Sequence, residues 1–203
     1  VLIGLWGLRL TKHLWDRLSR EGEDGRYESY RREKGQKAAD RFYMIFFQMQ
    51  AVFALIFASP ILIAANTPED VELQLLDGVG VAIWVLALLG ESIADRQLEK
   101  FRKDPANRGE VCRVGLWAWS RHPNYFGEIL LWAGIAVVAV PTLQGNQIFL
   151  LLSLIWVVVL LTAISGVRML EGRGKKRWGH DPEYIDYMKR TPMLMLWPPR
   201  KRR

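Results

Sequence analysis

Between Glu128 and Arg168 the chain runs for 39 residues without a charged side chain. About 18 consecutive apolar residues are enough for a helix to cross a bilayer, so this run reads as two crossing helices joined by a turn near Gln144-Gly145-Asn146. A second uncharged stretch, Phe42 to Ala65, is 24 residues long and is interrupted only by Gln48, Gln50 and Ser59-Pro60. It is long enough to span by itself. A soluble helix of this length would interleave charges with its apolar face. The mean hydropathy of +0.02 hides this pattern, because the charged residues are gathered elsewhere in the chain.

Their distribution fits a membrane topology. Residues 9 to 41 hold ten Lys/Arg, 95 to 113 hold six and 168 to 203 hold eleven, whereas 66 to 77 hold none and four acids. By the positive-inside rule the three basic segments face the cytoplasm or its equivalent, and the acidic loop faces away. The expected fold is therefore all-α, a polytopic transmembrane helix bundle with four full spans at 42–65, 73–94, 125–141 and 147–167. Residues 9–41 form a basic connector and 168–203 a basic tail, with the whole chain one membrane domain. Val1 to Leu8 reads as the tail of an upstream helix, so further spans are expected before it. The order of a signal peptide, basic then apolar then cleavage site, is not present. Cys112 is the only cysteine, which excludes an intrachain disulfide and fits a reducing compartment.

Polar residues inside or beside the spans mark the candidate site. The uncharged centre of the 73–94 span is only 13 residues, Gly78 to Gly90, and Glu91 and Asp95 follow it. With Glu99 and Arg102 they recur at spacings that share one helix face. A carboxylate at that depth is costly unless it faces a wet cavity or a partner, so both point to an internal polar site. Solvation at the interface is the blander account. The segment Arg121-His-Pro-Asn-Tyr-Phe-Gly-Glu128 opens the next span, and Arg121, Asn124 and Glu128 are expected along one face of its first turns. Free N–H groups and the helix dipole there, with Arg121 and His122, favour a phosphate or other anion. Arg102, Arg113, Arg168 and Glu171 stand at the same ends of neighbouring spans, a convergence suited to a polyanionic cofactor. Arg173, Lys175, Lys176, Arg177 and the last four basic residues are better read as facing lipid headgroups.

Ser120 to Glu128, with Gly115-Leu-Trp117 before it and an apolar helix after it, resembles the DUF1295 branch of the steroid 5-alpha-reductase-like membrane family. Trp6-Gly-Leu-Arg-Leu10, Gly22-Glu-Asp24, Arg26-Tyr27, Asp95-Arg-Gln-Leu98, Ser165-Gly166 with Glu171, and the Tyr184 to Tyr187 region fit the same pattern, so the resemblance covers nearly the whole chain. It implies an NADPH-dependent reductase of a carbon–carbon double bond conjugated to a carbonyl, acting on an apolar, lipid-like substrate such as a steroid or enone. It also implies that Asp95, Arg102, Arg113, Asn124, Tyr125, Glu128 and Arg168 contact the cofactor. To these the polar ends of the spans add Glu91, Arg121, His122, Glu171, Tyr184 and Tyr187. The family's carbonyl-activating Glu and Tyr lie in its N-terminal half; the Glu falls before Val1 and the Tyr aligns near Trp6. Tyr27 and Tyr43 are the remaining candidates for the donor, although interfacial tyrosines also serve as anchors.

The shorter R-H-P-x-Y core also occurs in isoprenylcysteine and phospholipid methyltransferases, so an S-adenosylmethionine-dependent membrane methyltransferase is the first alternative. Asn124 and Phe126-Gly-Glu128 argue against it. The second is a non-catalytic subunit of a larger membrane assembly. His13, His122 and His180 lack metal-ligand spacing, and the net charge of +7, explained by topology, calls for no nucleic acid. The expected location is a bacterial inner membrane or an organelle membrane, with the bilayer itself as partner.

Overall fold

A computed structural model describes residues 1–21, 25–64, 72–164 and 166–198. The described residues form helices joined by turns, without strands. In chain order these are α1 (Leu2–Glu21), α2 (Gly25–Lys34), α3 (Gln36–Ala64), α4 (Leu75–Lys103), α5 (Pro123–Ala139), α6 (Leu152–Val159), α7 (Val167–Trp178) and α8 (Pro182–Arg190). Four stretches are long and apolar enough to cross a membrane: Gln36–Ser59, Leu75–Lys103, Pro123–Thr142 and Leu152–Trp178. The chain is thus an all-helical protein with four candidate spans, which fits an integral membrane protein. It divides into two compact units, Val1–Ala58 and Ser59–Arg203.

In the first unit α1 does not stop at the basic residues after Leu8 but continues to Glu21, with Lys12 and Asp16 paired at 2.8 Å one turn apart. The sequence from Trp6 to Arg20 holds neither Pro nor a second Gly after Gly7, so nothing local breaks it. Residues 22–24 lie outside the described part. Gly35, at φ +82, ends α2 in the left-handed conformation that suits glycine and starts α3 one residue later. α3 is apolar around its circumference, and none of its spanning window is buried within the protein, as a helix solvated by lipid requires.

The second unit is organised on α4 and α5. Gly80, Trp84, Ala87, Glu91 and Ala94 are the buried residues of α4, spaced alternately by four and three, so they form one seam. Gly127, Leu131, Gly134 and Ile135 answer them from α5. The backbones nearly touch. A Cβ on Gly80 would lie 2.7 Å from the Gly134 carbonyl oxygen, and one on Gly134 would lie 2.7 Å from that of Gly80. Lower down, a Cβ on Gly127 would meet Glu91 Cβ at 2.8 Å. Small residues at these crossings allow close van der Waals packing, which drives helix association where lipid removes the hydrophobic contrast.

α4 runs on past Ala94 to Lys103, because Asp95 to Lys103 contains no helix breaker; Asp104-Pro105 then ends it, with the Asp104 carboxylate accepting from Ala106 N–H at 2.9 Å. The last span is not one regular helix. A 3-10 segment, Gly145–Leu151, precedes α6; a π-helical turn, Leu160–Ile164, follows it, and α7 begins after Gly166. The basic segment after Arg168 is also more ordered than a tail. It forms most of α7 and all of α8, and Tyr184 and Tyr187 are buried. Residues 199–203, which include the final basic run, lie outside the described part, as does 65–71 of the acidic loop.

α8 is docked by Tyr187, whose hydroxyl donates to the Trp117 carbonyl at 2.7 Å. Trp117 in turn donates its indole N–H to the Ala94 carbonyl at 2.9 Å, and the Leu116 N–H donates to Gln97 Oε1 at 2.8 Å. The turn Gly115–Ala118 is thereby fixed to α4, and α8 to the turn. Of the two tryptophans in this turn, Trp117 is buried and Trp119 exposed.

Two outcomes test this packing. Gly134→Val should destabilise the folded protein by about 1–3 kcal/mol or more, because the obstructing atoms are backbone, whereas Gly90→Ala, where a Cβ meets nothing, should be neutral or stabilising by up to about 1 kcal/mol. Thermal unfolding of both variants in one detergent checks this. Tyr187→Phe should cost about 1–3 kcal/mol by leaving the Trp117 carbonyl short of a donor. Burial pushes the Tyr187 phenol well above its ordinary value. Its contribution is therefore complete below the unfolded pKa of about 10 and is lost as pH rises towards the folded one. Tyr187→Phe should flatten the fall in melting temperature above that pH.

Candidate functional site

The entry to α5 is built by its two neighbours in sequence and by a distant segment. Pro123 occupies the first helical position, where its missing N–H costs nothing, and the residue before it, His122, leaves the helical region at φ −139, ψ 63. Ser120 is fully buried. Its hydroxyl donates to the Leu194 carbonyl at 2.7 Å and accepts from the His122 N–H at 3.2 Å. The Arg121 N–H donates to the Pro192 carbonyl at 2.9 Å, and the Trp197 N–H to the Trp119 carbonyl at 3.2 Å. The segment after α8 is thus a strap laid along residues 119–121.

Held this way, Arg121 and His122 meet Glu171 of α7. Arg121 Nη1 lies 3.2 Å and His122 Nε2 lies 3.3 Å from the same oxygen, Glu171 Oε1. Arg121 Nη1 is also 3.2 Å from the Met188 sulfur of α8. The side chains of Arg121 and His122 are 15% and 8% exposed, so this ion pair is shielded and worth more than a surface pair, at a matching desolvation cost. Arg121 Nε and His122 Nδ1 are both buried without a hydrogen-bond partner. The His122 ring stacks on Tyr125 at 5.7 Å, and Gly166 admits the Tyr125 ring, whose Cε2 would stand 3.1 Å from a Cβ there.

The α4 side supplies carboxylates and an amide. Asn124 Nδ2 donates to Asp95 Oδ1 over a long 3.4 Å, and Glu128 Oε1 accepts from the Trp132 indole N–H at 2.9 Å. Glu91 sits deeper, buried in the α4/α5 seam opposite Gly127. Arg121 precedes the helix, so it does not share a helical face with Asn124 and Glu128; its place comes from the strap. Glu99 turns to Lys103, 2.9 Å away, and not to the site.

The structure therefore brings together Arg121, His122, Tyr125 and Glu171, with the Asp95–Asn124 pair on α4 and α5 and Glu128 one turn below Asn124. Tyr184 belongs to their surroundings: it packs on Gly174, and its phenol is pushed up first by burial and then by the charge of Glu171. Tyr187 supports from behind. Arg113 is paired with Glu183 at 2.8 Å on the exposed surface. Arg102 and Arg168 are exposed, and Arg168 makes no ion pair among the described residues. Cys112 is buried, which raises its thiol pKa and makes it a poor nucleophile. Tyr43 lies in the other unit and meets Phe42 edge to face at 6.0 Å; the Tyr27 side chain lies outside the described part. Among the described residues no group of three metal-ligating side chains occurs.

Sequence reasoning missed Ser120 as the keystone of this corner, and Met188, Pro192 and Leu194 as its backing. The only signal was the position of Ser120 directly before Arg-His-Pro. Chemically, the corner presents a guanidinium and an imidazole at a helix N-terminus, beside carboxylate and amide groups that can pair with hydroxyls or a carboxamide.

An uncharacterized protein of Schizosaccharomyces pombe is 24% identical over 177 residues, 75% of this chain and 52% of its own. The 3-oxo-5-alpha-steroid 4-dehydrogenase 1 of Rattus norvegicus is 27% identical over 116 residues, 57% of this chain and 39% of its own. A probable O-methyltransferase of Ustilaginoidea virens is 29% identical over 69 residues, 34% of this chain and 24% of its own. The aligned stretches thus span about half or less of these relatives' lengths. No solved structure matches the chain. The family model described as "Protein of unknown function (DUF1295)" matches residues 1–191, and the chain belongs to that family.

Proposed function

We propose that this chain forms the cofactor-binding part of a membrane-embedded, NADPH-dependent reductase of a carbon–carbon double bond conjugated to a carbonyl, in an apolar, lipid-like substrate. The observation that carries the reading is the corner at the start of α5. Two buried nitrogens, Arg121 Nε and His122 Nδ1, lack partners there, beside a carboxylate that holds both side chains in place. Arg121 Nε is an unsatisfied buried donor at a helix N-terminus, which fits an anionic group, and the His122 Nδ1 beside it can accept from a hydroxyl or amide while Nε2 faces Glu171; a dinucleotide brings phosphates together with hydroxyls and a carboxamide. The similarity to a rat protein named a steroid dehydrogenase supports the redox class.

The residues present fit such a ligand. Arg121, His122 and the first turn of α5 would take phosphate charge, with Arg102 and Arg168 as exposed cations at the rim. Asp95, Asn124 and Glu128 would take hydroxyl and amide groups, and Glu91 would close the floor. Bound NADPH supplies a hydride to the β carbon of the enone. The protein's own part is to orient the nicotinamide face, keep water from it, and place a donor at the carbonyl oxygen as negative charge develops there. By the positive-inside rule the site faces the cytoplasm or its equivalent.

The methyltransferase relative keeps one other ligand in view, S-adenosylmethionine. Purified protein titrated with each should gain thermal stability saturably with NADPH and not with S-adenosylmethionine; stabilisation by S-adenosylmethionine alone replaces the reductase by a methyltransferase. Asn124→Ala and Arg168→Ala should each weaken NADPH binding by roughly 10- to 100-fold, the scale of a hydrogen bond to a charged group, while the protein stays folded in the membrane. Normal binding by both variants would remove the proposed pocket.

A further inference from the structure

Away from this site, the corner between α2 and α3 holds an open pocket of about 450 Å³ lined by Tyr30, Lys37, Ala38, Arg41, Phe42 and Ile45. Gly35 makes the corner, and Tyr30 of α2 stacks on Phe42 of α3 at 4.7 Å, which fixes one wall. Lys37 and Arg41 stand one turn apart on the exposed surface. Among the described residues neither has a carboxylate within ion-pair distance, because Asp40 is taken by Gln36, whose amide donates to it at 2.7 Å. The candidate span Gln36–Ser59 begins beside them, so both cations stand at the end of the apolar stretch of α3. Below them Ile45, Met49, Val52 and Ile56 recur at four, three and four residues along an exposed apolar stripe.

We propose that this pocket is a specific site for an anionic phospholipid of the surrounding bilayer, its phosphate between Lys37 and Arg41 and an acyl chain along Ile45, Met49, Val52 and Ile56. The charges are complementary, and the N-terminus of α3 adds favourable dipole potential. The order from cation to aromatic wall to aliphatic stripe is that of a lipid from headgroup to tail. A soluble phosphate would use the cations but not the stripe, and a zwitterionic lipid the stripe but not both cations. The proposal lies wholly in the first unit and does not depend on the reductase reading.

The test uses the full chain in detergent micelles, with thermal stability read during titration with phosphatidylglycerol, phosphatidylcholine or inorganic phosphate. Phosphatidylglycerol should stabilise saturably, and the other two should not. In Lys37→Gln/Arg41→Gln the half-saturating phosphatidylglycerol concentration should rise about 30-fold, the scale of two interfacial cations, and in Lys37→Arg/Arg41→Lys it should stay as in the parent. Lys175→Gln/Lys176→Gln, equally basic but outside the pocket, should also leave it unchanged. Should the double glutamine variant fail to fold, Arg41→Gln alone is titrated, with about a fivefold rise expected. Equal stabilisation by phosphatidylcholine or by inorganic phosphate, or an unchanged half-saturation in the glutamine variants, overturns the proposal.

Discussion

Close contact between α4 and α5 is the constraint from which the second unit follows. Because Gly80 and Gly134 let the two backbones touch, the helices cannot slide without a clash, and the register of one against the other is set. That register brings Asn124 beside Asp95 and puts Gly127 over Glu91. A single larger side chain at the crossing would separate all three pairs at once. The seam is therefore a structural element of the candidate site even though none of its glycines carries chemistry.

A second level of organisation rests on hydrogen bonds to carbonyls. Trp117 reaches the α4 backbone, Tyr187 reaches Trp117, and Ser120 reaches Leu194. Each bond fastens a loop or a short helix to something already rigid, and together they carry the fixed geometry of the α4/α5 pair outward to Arg121 and His122. Packing of the glycine seam holds the two spans together, and these bonds fix the segments outside the spans to it.

Much of the architecture was legible in the sequence because it follows from chain length and charge alone. The uncharged runs pointed to four spans, and the structure has four helical stretches long and apolar enough to cross a membrane. Arg121-His-Pro-Asn was readable as a polar helix entry because Pro fits the first turn of a helix and the residue before it does not. What sequence could not give was the partner of that entry. The bond from Ser120 to Leu194 joins residues 74 apart, and no periodicity or turn signal links such positions. For the same reason the pairing of Arg113 with Glu183, 70 residues on, could not be foreseen, and the segment after Arg168 read only as a basic tail although α7 and α8 carry Glu171 and Tyr187.

That strap has a consequence for how the protein is made. α5 precedes by more than 50 residues in sequence the segment that pins its N-terminal end, so the span is synthesised before its corner can be finished. The polar cluster at Arg121, His122 and Glu171 is completed only when Pro192 to Trp197 folds back. Forming the α5 span and finishing its corner thus rest on different stretches of the chain, and the second waits for backbone that follows α8.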